Sequence, residues 1–172
     1  MKEPLWAPWR IGYILGPKNH SRCVFCDYAG HGPEHFREDL TLVADDRVLV
    51  TLNRYPFAAG HLMVMPRAHV ADLSELSPED YDHLFRMVGQ AASRLRAAVK
   101  AEGLNVGINL GAAAGAGIAD HLHVHVVPRW QGDTNFMPVL ADVRVMPQAL
   151  DETWKHLYPH FRDLPGQRAD EP

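Results

Sequence analysis

This sequence has few cysteines, no long apolar run and no excess of positive charge. Its only cysteines are Cys23 and Cys26. Two are too few for a disulfide framework, and their C-x-x-C spacing in a reducing compartment points to a metal site or a redox pair. No apolar stretch approaches the roughly 18 residues of a membrane span. Met1 to Tyr13 is rich in Trp and Pro and lacks the charged start and apolar centre of a signal peptide, so a cytoplasmic protein with no membrane partner is expected. Lys and Arg number 17 against 21 Asp and Glu, a formal net charge of −4. That balance gives no overall pull toward nucleic acid or acidic lipid. The basic stretch Arg86–Lys100 reads as the wet side of a helix. No internal repeat is present. What remains is 172 residues, 47% of them apolar, enough for one cored domain with tails and no disulfide staples.

Proline and glycine punctuate the first 20 residues, which read as an irregular arm whose Trp6, Trp9 and Tyr13 pack on the domain or on a second subunit. Residues 28–39 read as a polar loop. Arg47–Leu52 and His61–Met65 are strand candidates joined by a turn over Asn53–Gly60. The strongest helix runs from Glu79 to Ala101, with Ser77 as N-cap, Pro78 in the first position and Gly103 as the stop. Its Tyr81, Leu84, Phe85, Val88, Ala92, Leu95 and Val99 fall on one face. Leu104–Leu110 and His121–Val127 are further strands, the latter ended by Pro128. A short helix is expected near Gln148–His156, followed by a disordered end.

His121-Leu122-His123-Val124-His125-Val126-Val127 alternates strictly. On a strand, all three histidines then share one face, spaced roughly 6–7 Å apart, while Leu122, Val124 and Val126 enter the core. One metal cannot bridge the first and third histidines, roughly 13 Å apart. A phosphoryl group fits between neighbours. A neutral histidine can attack phosphorus and form a covalent intermediate, and the central His123 is the natural nucleophile. His125 can donate to a phosphate oxygen. The preceding Gly111–Gly117 (GAAAGAG) is not a P-loop, since no Gly-Lys-Ser/Thr follows. Its glycines let backbone N–H groups approach a phosphate.

The histidine stretch with Pro128-Arg129 resembles the signature of the histidine triad (HIT) superfamily of nucleotide hydrolases and transferases. Leu52-Asn53-Arg54-Tyr55-Pro56 through Gly60-His61-Leu62-Met63-Val64-Met65-Pro66 resembles the family's first hairpin, and Cys23-Val24-Phe25-Cys26 its bacterial zinc motif. Leu5-Trp6-Ala7-Pro8-Trp9-Arg10, Asn109-Leu110-Gly111 and Arg129–Phe136 are similar to the branch that includes diadenosine tetraphosphate phosphorylases. The resemblance implies an α+β, HIT-like fold: an antiparallel sheet of about five strands with one long and one short helix, dimerising. It divides the chain into an arm (1–20), a HIT domain (21–136) and a C-terminal extension (137–172).

The resemblance also implies roles. His123 is the residue that becomes nucleotidylated, His125 and His121 complete the triad, and Asn53 contacts ribose. Asn109 and the backbone of Gly115, Ala116 and Gly117 line the phosphate path, and Trp130 seats a base or packs. Hydrolases of the superfamily often carry Gln at the place of Gly117, which leaves phosphate and water both open as the second acceptor. For a structural zinc, spacing offers Cys23, Cys26, His31 and His35, a zinc-knuckle pattern. The resemblance offers Cys23, Cys26, His69 and His121, and this set is preferred. His61 is read as structural.

The expected activity is attack on the α-phosphate of an adenine nucleotide or dinucleoside polyphosphate through a nucleotidyl-histidine. The rivals are a nucleoside phosphoramidase, a nucleotide-binding protein with little turnover, and a zinc-knuckle nucleic-acid binder. The last is disfavoured by the acidic charge.

Overall fold

The computed structural model describes residues 22–133 and 149–165. The arm with Trp6, Trp9 and Tyr13, and the end of the C-terminal tail, lie outside the described residues. The first elements are α1 (Val24–Gly30), a 3-10 turn (Pro33–His35) and the short α2 (Phe36–Asp39). The loop expected over 28–39 is therefore largely helical. Its turn residues, Gly32 before Pro33 and left-handed Leu40 after Asp39, bound short helical segments and do not dissolve them.

Five strands follow: β1 (Thr41–Ala44), β2 (Val48–Leu52), β3 (Leu62–Pro66), β4 (Gly103–Ile108) and β5 (Val124–Arg129). They form one antiparallel sheet in the order β1-β2-β3-β5-β4. β1 is short and has no clear alternation, which is why its sequence does not announce it. Two expected boundaries are corrected. β5 starts at Val124, so His121 and His123 precede the ladder. It also runs through Pro128, which pairs with Leu104 next to the sheet edge, where a missing N–H is tolerated.

The long helix α3 (Pro78–Val99) starts as its sequence dictates: the Ser77 side chain accepts from the Asp80 N–H at 3.1 Å, and Pro78 needs no donor. It ends at left-handed Lys100, whose N–H reaches Arg96 O, and not at Gly103, which opens β4. Leu84, Met87, Val88, Ala91 and Leu95 form its buried face. Tyr81 and Phe85, placed on that face by periodicity, are exposed and pack on each other at 4.7 Å.

The main core joins this helix to alternate residues of the central strands, Val48, Val50, Leu52, Leu62, Val64, Val124 and Val126. A C-terminal helix α4 (Leu150–Leu157) completes it with Trp154 and Leu157, and Arg37 grips Asp151 at 2.7 and 3.0 Å. The intervening residues Leu49, Met63 and Met65 face the other way and pack under Phe25 of α1. This second face carries the histidines.

Candidate active site and metal cluster

Alternation persists beyond the ladder: Leu122 enters the main core, while His121 and His123 lie against Phe25 on the second face. The spacing is tighter than a flat strand gives. The His123 and His125 rings are 4.9 Å apart and nearly perpendicular, with His123 just ahead of the strand that carries His125.

Hydrogen bonds assign a tautomer to each ring. His123 is almost fully buried, and its Nδ1 lies 2.8 Å from His121 O. A carbonyl only accepts, so Nδ1 carries the proton and Nε2 keeps its lone pair. Burial holds the His123 pKa below the usual 6.5. The ring is therefore neutral at neutral pH, and Nε2 has no hydrogen-bond partner among the described residues.

His125 is fixed from behind. The Phe57 N–H donates to His61 Nδ1 at 3.1 Å, so His61 Nε2 carries that ring's proton and donates to His125 Nδ1 at 3.0 Å. His125 Nε2 then bears a proton and is a donor. Burial, with His123 alongside, pushes the His125 pKa down to about 4. His61, read as structural, is wholly buried and is brought into the cluster by its bond to His125. The available signal is parity: His61 shares the face of Met63, which pairs with His125. Phe57 is a further site residue that sequence reasoning does not reach; its exposed ring stacks on His61 at 4.8 Å and lies 6.0 Å from His125.

His121 is turned away from this pair. Its Nε2 donates to Pro66 O at 2.8 Å, and its Nδ1 meets Cys23 Sγ at 3.3 Å and Cys26 Sγ at 3.6 Å. Both nitrogens are engaged, so its contribution to the His123 ring is the backbone carbonyl that accepts from it. His69 Nδ1 lies 3.3 Å from Cys26 Sγ. The donor atoms of Cys23, Cys26, His69 and His121 all fall within 4.8 Å of one another. A tetrahedron with metal–sulfur bonds near 2.3 Å and metal–nitrogen bonds near 2.0–2.1 Å has sulfur–nitrogen edges of about 3.6 Å, so the four fit one ion. The Pro66 carbonyl behind His121 is the outer partner such ligands use. Burial, then the adjacent Cys23, raises the Cys26 thiol to about 11, and a divalent cation would reverse that. The rival pair is occupied elsewhere: His31 bonds Asp39 at 2.6 Å and His35 bonds Glu38 at 3.4 Å.

The remaining expected residues divide. Asn53 sits beside His61, its Nδ2 3.4 Å from His61 Nδ1 and its Oδ1 accepting from the Tyr55 N–H. Asn109 lies one residue past the Ile108–Val124 pair, just beyond the end of β4. Gly107 pairs with His125 and has open space where a Cβ would stand. The Gly115 and Ala116 N–H groups are turned inward, to Ala112 O and Gly111 O at 3.0 and 3.4 Å, because a 3-10 turn closes there. They are thus not directed at the histidines. Trp130 is not brought to the cluster; its Nε1 donates to Val99 O and Lys100 O at the end of α3, on the opposite face of the sheet.

The model of the HIT domain matches residues 37–132. A Mycobacterium tuberculosis protein named AP-4-A phosphorylase is 35% identical over 156 residues, 88% of this chain and 80% of that one. A zinc-bound histidine triad family protein from Mycobacterium smegmatis superposes with a TM-score of 0.65 at 30% identity, over 84% of this chain and 96% of that one. A hypothetical histidine triad nucleotide-binding protein from Sulfolobus tokodaii gives 0.66 at 27%, over 83% and 93%. The five-stranded antiparallel sheet with flanking helices matches these structures. With the family model spanning more than half of it, the chain belongs to the HIT domain family and to its nucleotide-processing proteins.

Proposed function

We propose that this protein cleaves adenine dinucleoside polyphosphates at the α-phosphate through a nucleotidyl-histidine on His123. The observation that carries the reading is the buried His123 ring, with Nδ1–H on the His121 carbonyl and its Nε2 lone pair unpartnered among the described residues. In the first step Nε2 bonds to phosphorus and the bridging P–O bond breaks. The leaving polyphosphate takes that electron pair. His125 Nε2–H donates to a non-bridging oxygen and offsets its growing charge. In the second step phosphate or water attacks phosphorus, the P–N bond breaks, and its electron pair returns to Nε2. Asn53 suits the ribose hydroxyls and Asn109 the phosphates. The Gly115–Gly117 backbone serves the polyphosphate only once its turn opens. The name of the Mycobacterium tuberculosis relative favours phosphate as acceptor.

Cys23, Cys26, His69 and His121 would hold a zinc ion, a reading supported by their geometry and by the zinc-bound relative from Mycobacterium smegmatis. With four protein ligands the ion would be structural, fixing α1 against the segment that carries His123. The same reading takes the protein as a cytoplasmic homodimer, with residues 21–136 as the catalytic domain between an arm (1–20) and an extension (137–172). The edge strand β4 supports the dimer: Val106 on it and Leu110 just beyond are exposed.

Turnover of diadenosine tetraphosphate with and without inorganic phosphate tests the reading. Phosphorolysis gives ADP and ATP, hydrolysis gives AMP and ATP, and His123→Ala should abolish both. Equal turnover by His123→Ala refutes it.

A further inference from the structure

We propose that Phe25, which lies with Val24 between Cys23 and Cys26, is a positioning residue for the His123 ring. This role rests on the reading of His123 as nucleophile. It makes the cysteine motif part of the aiming of that nucleophile as well as a metal clamp.

Phe25 is 2% exposed, and its ring centroid lies 5.4 Å from that of His121 and 5.3 Å from that of His123. Among the described residues the His123 ring has a single hydrogen bond, to the His121 carbonyl. That bond sets the tautomer only while the ring stays seated on it, and a ring held at one atom can pivot off, so both its tautomer and its aim depend on what packs against it. His125, itself held by His61, stands against the ring. So does Phe25, which packs with Leu49, Met63 and Met65. The Cys23 side chain at the N-cap makes no capping hydrogen bond to α1. The helix is held in place by the cysteines against His69 and His121, by Arg54 on Tyr28 at 2.8 Å, and by Arg67 on the Ala29 carbonyl. The cluster therefore grips His123 at two points, the ring of Phe25 and the carbonyl of His121.

The test uses zinc-loaded full-length protein with 15N-labelled histidine, comparing wild type with Phe25→Ala, Phe25→Val and Phe25→Leu. Wild-type His123 should give one Nδ1–H tautomer. Phe25→Ala, at one zinc per chain, should give averaged tautomers, with kcat down about 10- to 100-fold and KM changed less than about threefold. Phe25→Leu should recover part of both signals. If Phe25→Ala fails to fold, Phe25→Val is held to the same expectation. Wild-type tautomer and kcat in the small variant overturn the proposal, as does a loss of kcat that tracks zinc loss and is reversed by added zinc. If wild type forms no nucleotidyl adduct, the proposed function fails, while the tautomer comparison still judges Phe25.

Discussion

Replacing His61 by Phe removes the group that sets the His125 tautomer while keeping a ring of similar size in a fully buried place. Three polar groups lose a hydrogen bond: the Phe57 N–H, the Asn53 amide and His125 Nδ1. An unmet buried donor or acceptor costs about 1–3 kcal/mol. At roughly 2–4 °C per kcal/mol for a domain of this size, the melting temperature should fall by several degrees. His125 then no longer has its Nε2 proton enforced, and the loss of one positioned hydrogen bond of about 1–1.5 kcal/mol lowers kcat on the order of tenfold. His61→Gln can still extend an N–H toward His125 and should recover part of the rate. Steady-state kcat and KM, read beside thermal melting, make the assay. A His61→Phe variant with wild-type kcat would refute the relay.

Three further outcomes are expected. The folded pKa of His125 is about 4, below the ordinary 6.5, so between pH 4 and 6.5 the unfolded chain binds more protons than the folded one. Stability should therefore fall as pH drops from 6.5 toward 4, read as a falling urea midpoint that His125→Gln flattens, and an unchanged slope in that variant contradicts the assignment. Cys23→Ser should lower zinc content, measured by elemental analysis, and lower the melting temperature; an unchanged metal content refutes the ligand set. Ser77→Ala should cost about 1 kcal/mol through the lost cap of α3 and leave kcat unchanged, as denaturation and turnover together will show.

The histidine alternation and the capped long helix are legible in the sequence because each follows a local rule: period two for the strand face, and Ser-Pro-Glu at the helix start. The metal set is legible only through resemblance, since His69 and His121 are distant in sequence and spacing alone offers His31 and His35. What the sequence hides is tertiary. His61 shows no tie to the triad until β3 lies beside β5, and Phe25 reads as an ordinary apolar residue until α1 folds over His123. Tyr81 and Phe85 continue the apolar stripe of α3 but stay exposed, outside the core that covers the rest of it. Trp130 falls on the helix face because it keeps the parity of Val126 and Pro128, which the motif alone does not reveal.

Mass spectrometry of protein quenched during turnover of diadenosine tetraphosphate tests the nucleophile assignment most directly. A nucleotidyl group located by fragmentation on His123 is the predicted result. An adduct on another residue, or turnover with no adduct under rapid quenching, would contradict it.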